Sequence, residues 1–323
     1  MDFVRTTPMQ INNVCVIGGS GFVGRHIVHL LAAQERRVRV PTRNRERAKQ
    51  LIVLPTVDVV QADIHDDEEL KQMLKGMDAV INLVGILHEG RSGDFRRAHV
   101  ELPLRIARMC ASLGVKRMVH MSALNADPNG PSSYLRSKGD AEVALRQTAQ
   151  GLALSVFRPS VIFGSEDKFL NLFAKLLKYF PVLFLASPHA RFQPVFVEDV
   201  AHVFVLSLDK PDTFGKSYDL CGPKVYTLRE LVKYMAVLTG RPRPIVGLSD
   251  RLSYLQAWSM EFLPVKLMTR DNYYSMRIDS VCDCAFPEIF GFQPAALEAA
   301  VPLYLAGGTP RGRYRWFRYK AGR

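Results

Sequence analysis

With 323 residues and 48% hydrophobic content, the chain can bury a sizeable core, which excludes a disordered protein and bounds it to one or two domains. Its 43 basic and 31 acidic residues give a formal net charge of +12. That balance favours anionic partners such as phosphorylated cofactors, anionic lipid or nucleic acid. The excess gathers between Arg36 and Lys49 and in the stretch Arg311 to Arg323. No zinc-finger spacing or other nucleic-acid signature accompanies it, so no nucleic-acid partner is expected.

The first apolar run, Val14–Ile17, leads into Gly18-Gly19-Ser20-Gly21-Phe22-Val23-Gly24 and then a helix over Gly24–Gln34. Strand, glycine turn and helix in that order bring a helix N-terminus up to a phosphate. The glycines read in two registers, Gly19-x-Gly21-x-x-Gly24 and Gly18-x-x-Gly21-x-x-Gly24. Either allows the unusual φ, the close backbone approach and the tight helix packing that a pyrophosphate site needs. A second strand over Val38–Val40 precedes Pro41-Thr42-Arg43-Asn44-Arg45. NAD-specific folds place an acid about 20 residues past the glycines to hold the ribose 2′-hydroxyl. None stands here. Arg43, with Thr42 and Arg45, instead suits a 2′-phosphate, so NADP(H) is favoured over NAD(H); the other reading is a solvated charge run.

A helix over Glu46–Leu51 and a strand over Val57–Val60 follow, then Gln61-Ala62-Asp63-Ile64. Asp63 is placed either to accept from an adenine amino group or to cap the next helix. After a helix over Asp67–Leu74, the run Ala79–Val84 ends in Asn82-Leu83-Val84-Gly85, where small or apolar residues line a cofactor. A helix over Val100–Leu113, a strand over Arg117–Met121, a helix over Ser137–Thr148 and a strand over Leu154–Phe157 complete the alternation. Short buried strands alternating with helices predict an α/β fold with a doubly wound parallel sheet. Tyr134-x-x-x-Lys138 shares one helix face, and a nearby ammonium lowers a phenol pKa toward use as an acid/base. A surface helix with Tyr134 packed and Lys138 solvated is the plain alternative.

The alternation loosens after Gly164. Phe169–Phe180 is apolar nearly all round and reads chiefly as buried core, with an apolar substrate pocket or partner surface as the alternative. Phe192–Leu208 and Ser217–Leu220 return to the sheet. The expected Rossmann domain is therefore residues 1–165 with about 192–221. A smaller, discontinuous substrate-side domain takes about 166–191 and 222–308. Residues 309–323 form a basic aromatic tail whose composition suits a membrane interface, though stacking on nucleic acid or folding back on the body fits as well.

Of five cysteines, Cys15 and Cys221 lie in apolar strand-like runs and read as buried thiols. Cys282-x-Cys284 lacks the second pair of a zinc site, and the eight histidines are scattered, so no metal is expected. The pattern predicts a reducing, cytoplasmic compartment, peripheral on the inner face of a membrane if the tail binds lipid. The N-terminus shows no secretory h-region. The longest apolar stretch, Phe169 to Ala186, is interrupted by Lys175, Lys178 and Pro181.

The glycine turn, Asp63, Asn82–Gly85, Tyr134/Lys138 and Arg158-Pro159-Ser160-Val161-Ile162-Phe163-Gly164 stand in an order that resembles the extended short-chain dehydrogenase/reductase superfamily. Phe192-Gln193-Pro194, Glu198-Asp199, Gly222-Pro223, Arg270-Asp271-Asn272 and Phe290-Gly291-Phe292-Gln293-Pro294 narrow the resemblance. They look like the atypical group related to the NADPH-binding accessory subunit of respiratory complex I. The resemblance implies Tyr134, Lys138 and Ser122 as catalytic residues. It implies a cofactor held by Gly18, Ser20, Gly21, Phe22, Val23, Gly24, Thr42, Arg43, Asp63, Ile64, Leu83, Val84, Gly85, Tyr134, Lys138 and Pro159. Its activity would be oxidoreduction of an apolar or quinone-like substrate; the alternative is a non-catalytic nucleotide-binding protein of a membrane complex. Ser122 stands one residue early, with Ala123 in the family's hydroxyl slot, which leaves both open.

Overall fold

The computed structural model describes residues 11–263 and 266–305. Its first half alternates strictly: β1 (Asn13–Ile17), α1 (Phe22–Ala33), β2 (Arg37–Thr42), α2 (Lys49–Ile52), β3 (Val57–Gln61), α3 (Asp67–Leu74), β4 (Ala79–Asn82), α4 (Leu102–Leu113), β5 (Arg117–Met121), α5 (Ser133–Thr148) and β6 (Ala153–Pro159). The second half holds β7 (Ile162–Phe163), α6 (Leu170–Tyr179), β8 (Leu183–Leu185), β9 (Arg191–Phe192), β10 (Val195–Phe196), α7 (Val197–Leu208), β11 (Ser217–Leu220), β12 (Tyr226–Thr227), α8 (Leu228–Leu238), β13 (Ile245–Gly247), α9 (Asp250–Met260), α10 (Arg270–Ser275) and α11 (Leu297–Leu305).

Seven strands form one sheet in the order β11-β6-β5-β4-β1-β2-β3. Every neighbouring pair is parallel. The order reverses beside β1, so the β1–α1 turn opens at the switch point where this architecture binds ligands. β1 shows why both faces must be covered. Val14 and Val16 pack into the cluster with Ile27, Val28 and Leu31 of α1 and Phe204 of α7. Cys15 and Ile17 point the other way, toward Leu70, Ile106, Cys110 and Leu145. That is the two-residue period of a strand. Each buried aliphatic side chain contributes about 1.5–3 kcal/mol, so α1 is held by its core stripe.

β2 runs two residues past the expected Val40, which puts Thr42 inside the sheet and buries it. A second core gathers Phe163, Leu177, Leu185, Leu231, Met235 and Val301 from β7, α6, β8, α8 and α11. The reading of Phe169–Phe180 as buried core is corrected here. Only Leu170 and Leu177 of α6 are fully buried, while Tyr179 and Phe180 are exposed. α6 lies on one side of the small core, so it needs an apolar stripe rather than an apolar circumference.

Cys221 is also corrected. It is disulfide-bonded to Cys282, with the Cα atoms 6.1 Å apart, so the thiol on which the reducing-compartment reading leaned is absent. Gln193 brings the two together: its side chain accepts from the Cys282 amide (3.0 Å) and donates to the Gly222 carbonyl (2.7 Å). The basic aromatic tail and the first ten residues lie outside the described residues. Among the described residues no helix is long and apolar enough to cross a membrane.

Candidate nucleotide and catalytic site

Gly18 leaves β1 with φ +85°, a left-handed conformation suited to glycine. A Cβ on Gly19 would stand 2.9 Å from the Val16 carbonyl and the Val40 side chain. On Gly24 it would stand 2.3 Å from the Gly18 carbonyl and 2.6 Å from the Gly19 Cα. Gly18, Gly19 and Gly24 are therefore required by conformation or by crowding. Gly21 precedes the helix in extended backbone, no side chain caps α1, and its first turn carries no acid. Such a terminus presents N–H groups and a positive dipole end to an anion. Ser20 Oγ lies 3.5 Å from Thr42 Oγ1, joining the turn to the end of β2. Phe22 covers Gly164, where a Cβ would come within 3.0 Å of its ring. Val23 packs against the core beside it.

Arg43 is exposed just past Thr42. Its field reaches His65, whose pKa falls through burial and through Arg97, Arg105 and Arg43, against the opposing pull of Asp63. Of these arginines, Arg105 contacts the loop after β3 directly, donating to the His65 carbonyl (2.9 Å). Of the two positions open to Asp63, the structure removes the helix cap. Its Oδ1 accepts from the His65 amide (3.0 Å), while the helix cap is Asp66, which accepts from the Glu69 amide (2.9 Å). Asp63 is exposed and Ile64 half-buried beside it. Leu83 and Val84 abut Gly18, at 3.3–3.4 Å from the position of a Cβ there. The corresponding position on Gly85 is 3.3 Å from Lys138 Nζ. The segments after β1 and β4 and the face of α5 therefore meet.

α5 starts four residues earlier than expected, so Tyr134 sits in its first turn. Lys138 is buried, and its Nζ donates to the Met121 carbonyl (3.1 Å). Burial pulls the Lys138 ammonium down to about 8, against the Glu142 carboxylate. The expectation that Lys138 lowers the Tyr134 pKa is corrected: burial pushes that phenol up to about 12. Burial disfavours the charged phenolate. Ser122 follows Met121 directly. Its amide donates to the Phe157 carbonyl (2.8 Å), and its buried hydroxyl has no partner among the described residues. An orphaned buried hydroxyl fits a site that a polar ligand completes.

Sequence reasoning missed three contributors. A π-helical turn over Arg96–Glu101 aims His99 inward; such bulges often mark functional sites. His99 Nε2 accepts from the Ile86 amide (3.0 Å), so its Nδ1–H faces Ser137 Oγ (2.8 Å). Burial holds this imidazole down to about 3, with Lys138 adding to the shift. It stands edge-on to Tyr134 at 5.5 Å. Asp271 is the second. From α10 it accepts from the amides of Ser133 (2.6 Å) and Tyr134 (3.1 Å). Ser132 Oγ caps the same helix through the Leu135 amide and meets Ser275 Oγ at 2.8 Å. Arg270-Asp271-Asn272 therefore secures the turn that carries Tyr134. Asp271→Ala is expected to cost about 1–2 kcal/mol, the usual loss on removing a cap. Denaturant unfolding checks this, and an unchanged midpoint would reject the role. The third is Glu142, one turn past Lys138, which holds Arg158 Nε at 2.8 Å. Its Lys-x-x-x-Glu spacing on one helix face is the signal that could have found it. Pro159, buried at the end of β6, accepts from the Leu124 amide (3.0 Å) and aligns the Ser122 segment with that strand.

Among the described residues no three His, Cys, Asp or Glu side chains gather as a metal site. The uncapped α1 terminus with no acid in its first turn and the orphaned Ser122 hydroxyl fit a dinucleotide. Sheet order, glycine turn and Tyr134/Lys138 define an extended short-chain dehydrogenase/reductase. The chain belongs to the NAD dependent epimerase/dehydratase family, whose model matches residues 14–221. It is 32% identical over 301 residues to the mitochondrial NADH dehydrogenase (ubiquinone) 1 alpha subcomplex subunit 9 of Mus musculus, spanning 88% of this chain and 77% of that protein. It is 30% identical over 252 residues to the ceramide reductase of Caulobacter vibrioides, spanning 76% and 78%. Among solved structures, a dTDP-glucose 4,6-dehydratase of Streptomyces venezuelae with NAD bound shares the fold, with TM-score 0.72 and 21% identity over 96% of this chain and 98% of that one.

Proposed function

We propose that the chain binds NADP(H) and reduces or oxidises an apolar carbonyl or alcohol, quinone-like or lipid-like. One observation carries the cofactor choice: β2 ends at Thr42 and is followed by exposed Arg43, with no acid at the strand end. A 2′-phosphate supplies the missing anion through charge-assisted bonds. Gly18, Ser20, Gly21, Phe22, Val23 and Gly24 cradle the pyrophosphate, Asp63 and Ile64 border the adenine, and Leu83, Val84, Gly85 and Pro159 line the path to the nicotinamide. Arg43→Ala is expected to weaken NADPH about tenfold to a hundredfold, the worth of one hydrogen bond to a charged group. NADH affinity should stay unchanged; calorimetric titration reads both. Equal loss for the two nucleotides would reject the assignment.

The bound cofactor supplies or accepts the hydride. Tyr134, a neutral phenol at working pH, gives its proton to the substrate oxygen in the reducing direction. Lys138 holds positive charge beside the phenolate so formed. Ser122 Oγ donates to the same oxygen. The name of the Caulobacter relative supports an apolar carbonyl substrate. Tyr134→Phe is expected to lower NADPH oxidation with an active carbonyl at least about a hundredfold, the lower range for general acid catalysis. NADPH binding should persist; equal turnover by the variant would remove Tyr134 from the chemistry.

The mouse relative's name favours a second reading, a nucleotide-binding subunit of a respiratory membrane complex. In that case NADPH stabilises the fold, by about 2.7 kcal/mol at a hundredfold excess over Kd, with no turnover across a broad carbonyl panel. Both readings include peripheral contact with a membrane, to which residues 309–323 add basic and aromatic side chains.

A further inference from the structure

α9 is built the wrong way round for a surface helix. Its fully buried positions are Ser253 and Ala257, whereas Leu252, Tyr254, Leu255 and Trp258 are exposed. An ordinary amphipathic helix turns its large apolar residues inward. Here the small stripe faces β8: Ser253 Oγ accepts from the Ser187 amide (3.1 Å), and Gln256 Nε2 donates to the Phe184 carbonyl (3.1 Å). The apolar surface continues on both sides. Phe184, 56% exposed, is the register partner of Val246 on β13, also exposed. Phe262, 73% exposed, packs edge-on against Trp258 at 5.1 Å. Tyr179, 71% exposed, and Phe180 end α6 immediately before β8. Contiguous exposed apolar surface of this kind marks an interaction site.

The same elements carry exposed cations: Lys175 and Lys178 on α6, Lys178 lying over the Tyr179 ring, Arg243 just before β13 and Arg251 on α9. Of the acids of α9 and the turn after it, exposed Asp250 accepts from the Tyr273 hydroxyl (2.7 Å) and keeps its charge, while Glu261 is paired with Arg270 at 2.9 Å. A patch of Trp, Tyr, Phe and Leu whose elements also carry these cations complements an anionic lipid interface. Like charge disfavours the two occupants this chain itself offers, the basic segment 309–323 and a second copy.

We propose that α9, the β8–β13 pair and the end of α6 form a docking face for an anionic lipid surface, with Trp258 and Phe262 entering the acyl boundary. The proposal rests on the membrane reading above and moves the contact from residues 309–323 to a folded surface. Through α10 and Asp271 this face adjoins the turn that carries Tyr134, which suits delivery of an apolar substrate from the bilayer.

The test is co-sedimentation of the full chain with phosphatidylcholine vesicles, with or without phosphatidylglycerol. Trp258 and Trp316 are the two tryptophans, so Trp316→Phe leaves Trp258 as the sole reporter. Binding confined to the anionic vesicles, a blue-shifted Trp258 emission and its quenching by brominated acyl chains are expected. Leu255→Glu with Phe262→Glu should lower vesicle affinity at least about tenfold, since each change puts a charge into the apolar boundary. Both positions are exposed, and unchanged circular dichroism and NADPH response will show that the variant is folded. If that variant binds like the parent while removal of residues 309–323 abolishes binding, the proposed face is overturned and the membrane reading stands. If the parent binds neither vesicle, both fail and the face serves a protein partner.

Discussion

Gly24→Ala is expected to abolish the stabilisation that NADPH confers and to lower the stability of the fold itself by about 1–3 kcal/mol, the usual cost of overpacking. The added methyl would meet the Gly18 carbonyl at 2.3 Å and the Gly19 Cα at 2.6 Å. Both contacts are backbone, so no rotamer relieves them. Relief requires α1 to move away from the turn, and that movement takes the helix N-terminus from the pyrophosphate position. Gly76 and Gly93, where a Cβ would meet nothing within 4 Å, have no such crowding. Thermal unfolding with and without NADPH reads both effects. A Gly24→Ala chain that keeps the full NADPH shift would contradict the cradle.

Lys138→Met is expected to separate stability from function. Lys138 is buried, and burial lowers its ammonium from 10.5 to about 8. Between those values the unfolded chain holds a proton that the folded chain lacks. Stability therefore rises with pH through that window, and the burial cost is fully present below about 8. The shift corresponds to about 3 kcal/mol. The methionine variant removes that cost, although it also loses the bond to the Met121 carbonyl (3.1 Å). At neutral pH it should be the more stable chain, with a flattened stability curve between pH 8 and 10.5. Turnover should fall with loss of the cation. Such exchange of stability for activity is common where a site holds a buried charge. Denaturant unfolding at neutral and alkaline pH measures it. Equal destabilisation at both values would show that Lys138 is a structural anchor.

The sheet half of the fold was legible because its signals are local. Buried strands such as Val14–Ile17 and Arg117–Met121 declare themselves as short apolar runs, and glycine chemistry marks the turn between β1 and α1. Contributors that arrive from distant sequence were not legible. Asp271 reaches the Tyr134 amide across 137 residues, and Cys282 reaches Cys221 across 61. The position of Tyr134 on a helix face is local, but its pKa depends on the depth of burial. α9 carried no local signal of its orientation. Its apolar residues sit at helical spacing, which ordinarily means core, yet the fold buries Ser253 and Ala257 instead.

The most direct test of the account is calorimetric titration of the intact chain with NADPH and then with NADH. The account predicts saturable NADPH binding, weaker NADH binding, and near-equal affinities once Arg43 is replaced by alanine. NADH binding more tightly than NADPH, or no binding of either nucleotide, would contradict it.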